Sequence, residues 1–148
     1  MIHEVSGSIF ESEAVALVNP VNTVGVSGKG LALQFKQKFP RAFDQYSSAC
    51  FIGAVRPGLV LAVRYPKSNK YIIHFPTKRH WRSPSRIEDI ESGLVGLIDV
   101  LREEGIQSVA IPALGCGLGG LNWKAVKQLI ENAFHRYPTI EVYLYGPQ

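Results

Sequence analysis

The chain has 148 residues, 46% of them hydrophobic and 19% charged, which fits one domain with a hydrophobic core of its own. Its only cysteines, Cys50 and Cys116, are too few for a disulfide framework and too far apart for a metal knuckle. No apolar stretch is long enough to cross a membrane, and the N-terminal sequence MIHEVSGSIF has charge and glycine where a signal peptide needs an apolar block. We therefore expect a soluble cytoplasmic protein, and the net charge of +4 weakly favours a polyanionic partner.

Apolar periodicity predicts strands that alternate with helices along the chain. Strands are predicted at 14–18, 59–64, 71–75, 108–113 and 139–145. Helices are expected from Leu31 until Pro40 interrupts the pattern, over 42–49, over 87–101, and from Trp123 until Pro138 stops the last one. This order predicts one α/β domain over residues 1–148, in which helices cover both faces of a mixed sheet.

Three local signals refine these elements. Ser85 and Glu88 have the spacing of a capping box ahead of the helix at 87–101. Asn122 is placed to cap the last helix through its side chain. Residues 67–70 are interpreted as a hairpin turn between two strands.

Two glycine-dense turns follow predicted strands, in VNPVNTVGVSGKGLALQF and in SVAIPALGCGLGGLNW. Such a turn before a helix directs backbone N–H groups and a positive helix end at an anion, so each predicts a phosphate site. Because ligands of α/β folds collect at the carboxyl ends of strands, two such turns favour a pyrophosphate. The alternative is a pair of tight turns that bind nothing.

Neither turn matches a common nucleotide-binding motif. Only two residues separate Gly25 from Gly28, and Gly30 follows Lys29 where a P-loop needs Ser or Thr for magnesium. The dinucleotide fingerprint is formally present in the second turn, but too little chain follows it for the other half of a Rossmann sheet. These departures exclude a P-loop ATPase and a Rossmann dehydrogenase.

Asn19 and Asn22 lie between a buried strand and the first glycine turn. An asparagine side chain can donate to and accept from a sugar hydroxyl, which suits ribose binding, but beside Pro and Gly it also commonly satisfies turn backbone. The histidines share no metal-binding spacing, and we predict neither a metal nor another cofactor. Structural roles are expected for His74 and Cys116, and core positions for Phe75, Trp123 and Tyr145.

The segment KRHWRSPSR, residues 78–86, interleaves four cations with His80 and Trp81. Cations can follow a phosphate backbone while an aromatic ring stacks on an unpaired base, which is the composition of a single-stranded nucleic-acid site. The alternative is a solvated basic loop in which Trp81 packs against its own protein.

The order and spacing of three segments resemble macrodomains, in the branch that includes terminal ADP-ribose glycohydrolase and the DarG antitoxins: VNPVNTVGVSGKGLALQFKQKFP, FPTKRHW and IPALGCGLGGLNW. The resemblance covers essentially the whole chain. It implies a three-layer α/β/α fold around a mixed, mostly parallel sheet of about six strands. It also implies that the chain binds ADP-ribose, with the pyrophosphate between residues 25–30 and 115–120.

The same resemblance implies a glycohydrolase, acting as a monomer, that removes ADP-ribose from thymidine bases of single-stranded DNA and reverses the action of a DarT toxin. It makes Lys78 catalytic, either as an amine that attacks the anomeric carbon or traps the opened sugar, or as a cation that assists departure of the base. Proximity of other cations such as Arg79 would favour the neutral amine. Asn22 would orient the distal ribose. The alternatives are a binding module without activity, and hydrolysis of ADP-ribose on protein carboxylates or of a terminal phosphate on free ADP-ribose.

Two positions depart from the wider pattern. Gly119 stands where terminal ADP-ribose glycohydrolase has an acidic residue, and Ser8 stands where many macrodomains have the adenine-binding Asp of a Gly-Asp-Ile motif. We expect nucleic-acid contacts from Arg79, His80, Trp81 and Arg82. We expect ADP-ribose contacts from Ser8, Ile9, Asn19, Thr23, Gly25, Ser27, Gly28, Lys29, Gly30, Leu31, Thr77, Pro112, Leu114, Gly115, Cys116, Gly117, Leu118, Gly119 and Gly120.

Overall fold

Six strands form one sheet in the order β1-β6-β5-β2-β4-β3, in a computed structural model that describes residues 1–147. The strands are β1 (Ile2–Val5), β2 (Ala16–Asn22), β3 (Leu61–Tyr65), β4 (Lys70–Lys78), β5 (Ser108–Ile111) and β6 (Glu141–Tyr145). The helices are α1 (Gly30–Lys38), α2 (Pro40–Phe51), α3 (Ile87–Glu103) and α4 (Trp123–Phe134), with a 3-10 turn at Ile9–Glu11. The predicted α/β fold is confirmed.

All neighbouring strands run parallel except β3, which is antiparallel to β4. The strands β1, β2, β4, β5 and β6 therefore end at one edge of the sheet, called here the carboxyl edge. The first glycine turn, residues 23–29, follows β2 at this edge, and the second, residues 112–122, follows β5. Residues 79–86, called here the basic loop, follow β4 at the same edge, so the first turn lies between the second turn and the basic loop in strand order.

Alternate side chains of the central strands face opposite sides of the sheet and join two different hydrophobic clusters. Val18, Phe75 and Val109 belong to the cluster that includes α3 and α4 residues, whereas Leu17 and Ile72 pack with residues of α1 and α2. This alternation follows from the two-residue period of strand side chains, and it yields the expected three layers. No helix of residues 1–147 has the length and apolar character needed to cross a membrane.

Several sequence predictions need correction. Strand β1 was not predicted, because its four residues include the polar His3 and Glu4. The proposed capping box is wrong: Arg86 is the N-cap of α3 without a side-chain hydrogen bond, and the Ser85 N–H instead donates to the Gly119 carbonyl at 3.0 Å. The Asn122 cap is confirmed, since its Oδ1 accepts from the Ala125 N–H at 3.2 Å.

Strand β2 is longer than predicted and extends through Asn22. Asn19 and Asn22 are therefore strand residues and not part of the turn. Helix α2 also extends beyond the predicted 42–49, because Pro40 occupies its first turn, where a proline costs no hydrogen bond. The 67–70 hairpin turn connects β3 to β4 as expected, with Asn69 at φ 53°.

Candidate active site at the carboxyl edge

The pairing of β2 with β4 places Asn22 beside Lys78, the two residues predicted to be catalytic. The register shifts between Val21 and Asn22, so that Asn22 pairs with Lys78 and Thr77 is skipped. Such a bulge re-aims side chains at the end of a strand. The Thr77 hydroxyl, buried in the sheet, donates to the Val21 carbonyl at 3.4 Å.

The Asn22 side chain organises the first glycine turn. Its Oδ1 accepts from the Val24 and Val26 N–H groups at 3.1 and 3.3 Å, and its Nδ2 donates to the Val26 carbonyl at 2.7 Å. The Tyr46 hydroxyl lies 2.8 Å from both the Asn22 carbonyl and Oδ1. The turn-stabilising role that sequence left open for Asn22 is therefore present, and its amide has a second N–H for another acceptor.

The second glycine turn is stabilised by backbone hydrogen bonds. Cys116 N–H donates to Ala113, Gly120 N–H to Gly117, and Leu121 N–H to Gly115, at 2.9–3.2 Å. Gly115 and Gly120 have φ of 72° and 79°, a region that favours glycine.

Gly119 has no room for a side chain. A Cβ there would lie 2.2 Å from the Ser85 Oγ and 2.4 Å from the Gly115 carbonyl oxygen. The Ser85 hydroxyl thus occupies the space that a side chain at 119 would need, and this packing is a physical reason why no carboxylate stands at that position.

Lys78 is half-buried at the end of β4, and its Nζ donates to the Trp81 carbonyl at 3.4 Å. The next residue, Arg79, is fixed in two directions. Its guanidinium makes two 3.2 Å hydrogen bonds to the buried carboxylate of Asp89 on α3, and its carbonyl accepts from the Thr23 hydroxyl at 2.5 Å. These contacts fix the backbone beside Lys78 between the first turn and α3.

The basic loop presents Trp81 to solvent, with 43% of its surface exposed. The Arg82 guanidinium lies 4.4 Å from the centroid of the Trp81 ring. The centroids of the His80 and Trp81 rings are 5.0 Å apart. Trp81 therefore packs on side chains of its own loop while part of its ring stays exposed, and its contact with nucleic acid stays a prediction. Arg79 differs from its neighbours because Asp89 already neutralises its charge.

Some of the residues expected to contact ADP-ribose are buried or hydrogen-bonded within the fold. Asn19 lies three residues before the end of β2, buried, with its Nδ2 3.2 Å from His74 Nδ1. Ser8 caps the 3-10 turn by accepting from the Phe10 N–H, and Ile9 is buried in the core. Leu114 is also fully buried in the core, and the remaining expected contacts lie on the two turns, at the start of α1 or at strand ends along the same edge.

Most of the residues assigned structural roles are packed as expected, but Trp123 and Tyr145 lie at the margin of the core and not inside it. His74 is buried, its Nε2 lies 2.9 Å from the Ala42 carbonyl, and burial lowers its pKa to about 4. Phe75 is fully buried, whereas Trp123 and Tyr145 are half-buried against the core clusters. Burial raises the pKa of Cys116, so its thiol is not an activated nucleophile.

Three side chains at the site were not predicted from the sequence to have a role there. Tyr46 supports the first turn from α2, and Asp89 holds the basic loop from α3. The hydroxyl of Ser85, like that of Ser27 in the first turn, is buried without a hydrogen-bond partner among residues 1–147. Their spacing in the chain contains no signal for these contacts, which depend on how the helices pack.

The Macro domain family model matches residues 18–130, and the chain belongs to the macrodomain family. Within it, the chain is 46% identical, over 99% of its length, to the DNA ADP-ribosyl glycohydrolase of Mycobacterium tuberculosis, of which the match covers 42%. The solved macrodomain of Mycobacterium tuberculosis DarG superposes with a TM-score of 0.97 over 100% of this chain and 99% of that one.

A second solved structure, Thermosipho africanus DarTG in complex with ADP-ribose, is 38% identical and has a TM-score of 0.92. It covers 99% of this chain, which in turn spans 41% of that protein. The present chain thus spans about two fifths of the length of the curated DNA ADP-ribosyl glycohydrolases that it matches.

Proposed function

We propose that this macrodomain is a glycohydrolase that removes ADP-ribose from thymidine bases of single-stranded DNA. The observation that supports it most directly is the pairing of Asn22 with Lys78 at the sheet edge where both glycine turns lie. Two relatives support the chemistry by name, the DNA ADP-ribosyl glycohydrolase of Mycobacterium tuberculosis and the ADP-ribose complex of Thermosipho africanus DarTG.

Each element of the edge has a role in this reaction. Backbone N–H groups of residues 25–30 and 115–120 bind the two phosphates of ADP-ribose, since glycine lets the backbone approach closely. This places the distal ribose at the ends of β2 and β4. The free N–H of the Asn22 amide then orients a ribose hydroxyl, and the Lys78 amine faces the anomeric carbon.

The reaction breaks the bond between the anomeric carbon and the thymine nitrogen. Water supplies an oxygen to the carbon, and a proton returns to the base nitrogen, so no cofactor is consumed. Lys78 contributes in one of two ways. As a neutral amine it traps the opened sugar as a Schiff base, which water later hydrolyses; as a cation it stabilises the departing base.

The name of one relative supports a biological partner for this domain. One curated relative, from Thermosipho africanus, is named a fusion of DNA ADP-ribosyl transferase and DNA ADP-ribosyl glycohydrolase. We therefore propose that this domain reverses the modification made by a DarT-type transferase, as a monomer in the cytoplasm.

The Lys78→Ala variant tests the proposal. We expect turnover of ADP-ribosylated single-stranded DNA to fall at least about 100-fold, while calorimetric affinity for ADP-ribose stays within about threefold because the glycine turns are intact. The matched control is Lys67→Ala, an exposed lysine in the β3–β4 turn. An unmodified chain that binds ADP-ribose without any turnover would instead identify a binding module.

Two further assays locate the reaction. Turnover is compared on modified thymidine DNA and on protein modified at carboxylates, and preference for the protein would contradict the proposed substrate. Borohydride added during turnover would reduce a Schiff base to a stable amine. Mass spectrometry should then find the sugar nucleotide attached to Lys78 only if a Schiff base forms. A Lys78→Arg variant that retains activity would favour the electrostatic role, because guanidinium cannot form that adduct.

A further inference from the structure

Exposed apolar side chains are concentrated at the carboxyl edge. Nine large hydrophobic residues are exposed among residues 1–147, and all but Met1 and Val95 lie on the segments that border this edge. The most exposed are Phe51 at 91% and Ile52 at 77%, at the end of α2. Isolated exposed apolar residues need no explanation, but such a concentration marks an interaction surface.

Helix α2 runs toward the carboxyl edge and ends beside the first glycine turn. The Ala42 carbonyl lies near His74 in mid-sheet, and the Tyr46 hydroxyl meets Asn22 at the end of β2. A Cβ on Gly25 would lie 3.5 Å from the Cβ of Cys50, the neighbour of Phe51. Phe51 and Ile52 therefore extend the surface of the first turn.

The segment that follows α2 is ordered by its own hydrogen bonds. Gly53 N–H donates to Cys50 at 3.0 Å, Ala54 N–H to Ala49 at 2.9 Å, and Leu59 N–H to Arg56 at 2.8 Å. Val55 is buried with Val21 and Tyr46. The exposed side chains thus project from fixed backbone, which lowers the entropy lost when they bind a partner.

The charge of these segments identifies the chemistry of the partner. Residues 23–29, 52–60, 79–86 and 112–122 contain five Lys or Arg residues and no Asp or Glu. Asp89 neutralises only Arg79 among them. Exposed apolar side chains interspersed with cations suit a chain that has both flat apolar faces and regular negative charge, which describes single-stranded nucleic acid.

We propose that nucleotides flanking the modified thymidine bind across the first turn onto residues 51–59, with a base stacked on Phe51 and Ile52 and a phosphate near Arg56. The proposal rests on the proposed function, in that DNA is the substrate. It adds a second DNA-contacting region to the basic loop, and it predicts that affinity depends on the length of the strand beyond the modified nucleotide.

Binding of a labelled, unmodified thymidine oligonucleotide of about 12 nucleotides to the full chain tests this directly by anisotropy. We expect the double variant Phe51→Ser with Ile52→Ser to weaken binding about 10-fold, since one stacked base is lost. Free ADP-ribose affinity should stay within about twofold. The matched control is Val95→Ser, an exposed apolar residue on α3 that is 63% accessible and lies outside residues 51–59.

Arg56→Glu tests the electrostatic part. It should reduce the slope of log affinity against log salt by about 1 between roughly 50 and 200 mM salt, as expected when one phosphate contact is lost. Arg136→Glu, an exposed arginine between α4 and β6 at the opposite edge, should leave the slope unchanged.

The inference would be overturned if the apolar double variant and the Arg56→Glu variant both bound the oligonucleotide as tightly as the wild-type chain does. This holds even if the surface proved to bind a protein. An equal loss of ADP-ribose affinity would also overturn it, because it would indicate damage to the turn. Neither binding assay needs turnover. Failure of the proposed hydrolysis therefore remains distinguishable from failure of this surface.

Discussion

The two glycine turns occupy equivalent positions after β2 and β5 but are stabilised in different ways. The first depends on side chains, because Asn22 binds three backbone groups of the turn and Tyr46 binds Asn22. The second depends on backbone hydrogen bonds and on the missing side chain at Gly119. The first turn should therefore fail when a side-chain group is lost or ionised, and the second when one is added.

The polar support of the first turn continues into the sheet. The Tyr46 ring stacks on His74, with centroids 5.1 Å apart and planes at 29°. His74 in turn pairs with Asn19 and with the Ala42 carbonyl. The second turn has no titratable residue other than the thiol of Cys116. A change of pH should therefore affect the stability of the first turn more than that of the second.

Acidification should have the largest effect. Burial lowers the His74 pKa to about 4 from 6.5, so between these values the unfolded chain binds more protons than the folded one, and stability is lost as pH falls. The loss should reach roughly 3 kcal/mol at pH 4. Urea unfolding at several pH values measures it.

The His74→Asn variant should lack this component of the pH dependence, and the exposed His135→Asn variant should retain it. Loss of stability on acidification that is the same in all three proteins would contradict the assignment to His74. Near-native chemical shifts of Cys116 and Gly117 at about pH 4, with shifted signals from the first turn, would show that acid acts on one turn before the other.

Much of this arrangement could be predicted from sequence, for a physical reason. The apolar runs and glycine clusters are local signals, and parallel pairing then brings the loops to one edge, so the positions of Lys78 and both turns followed. The support of the turns could not be predicted. Ser85 has the spacing of a helix cap, but its N–H pairs with Gly119, which lies 34 positions away in the chain. Tyr46 and Asp89 likewise act on residues distant in sequence.

Adding a methyl group to the second turn should have the next largest effect. Gly119→Ala places a Cβ within 2.4 Å of the Gly115 carbonyl oxygen and 2.2 Å of Ser85 Oγ, and such overpacking costs about 2 kcal/mol. Gly117→Ala is the matched control, since its Cβ would meet nothing within 4 Å. Thermal unfolding measures both.

The Ser85→Ala background sharpens this test. Removing the hydroxyl relieves one of the two clashes, so Gly119→Ala should cost less there, but the Gly115 carbonyl is backbone and keeps part of the penalty. A cost that is identical in both backgrounds would show that the Ser85 hydroxyl does not limit the space at 119.

Tyr46→Phe should have the smallest effect and should act on the first turn alone. Burial raises the pKa of Tyr46, so its hydroxyl stays protonated and donates to Asn22, whose carbonyl and Oδ1 both lie at 2.8 Å. Losing this bond costs about 1 kcal/mol of stability. Tyr143→Phe is the control, because that half-buried ring has no hydroxyl hydrogen bond within residues 1–147.

ADP-ribose affinity should fall with Tyr46→Phe and not with Tyr143→Phe, since a less ordered Asn22 leaves the amides of the first turn less well directed at a phosphate. If affinity is unchanged while stability falls, the side-chain support serves the fold of the first turn and not its ligand, and the two turns differ in construction but not in function.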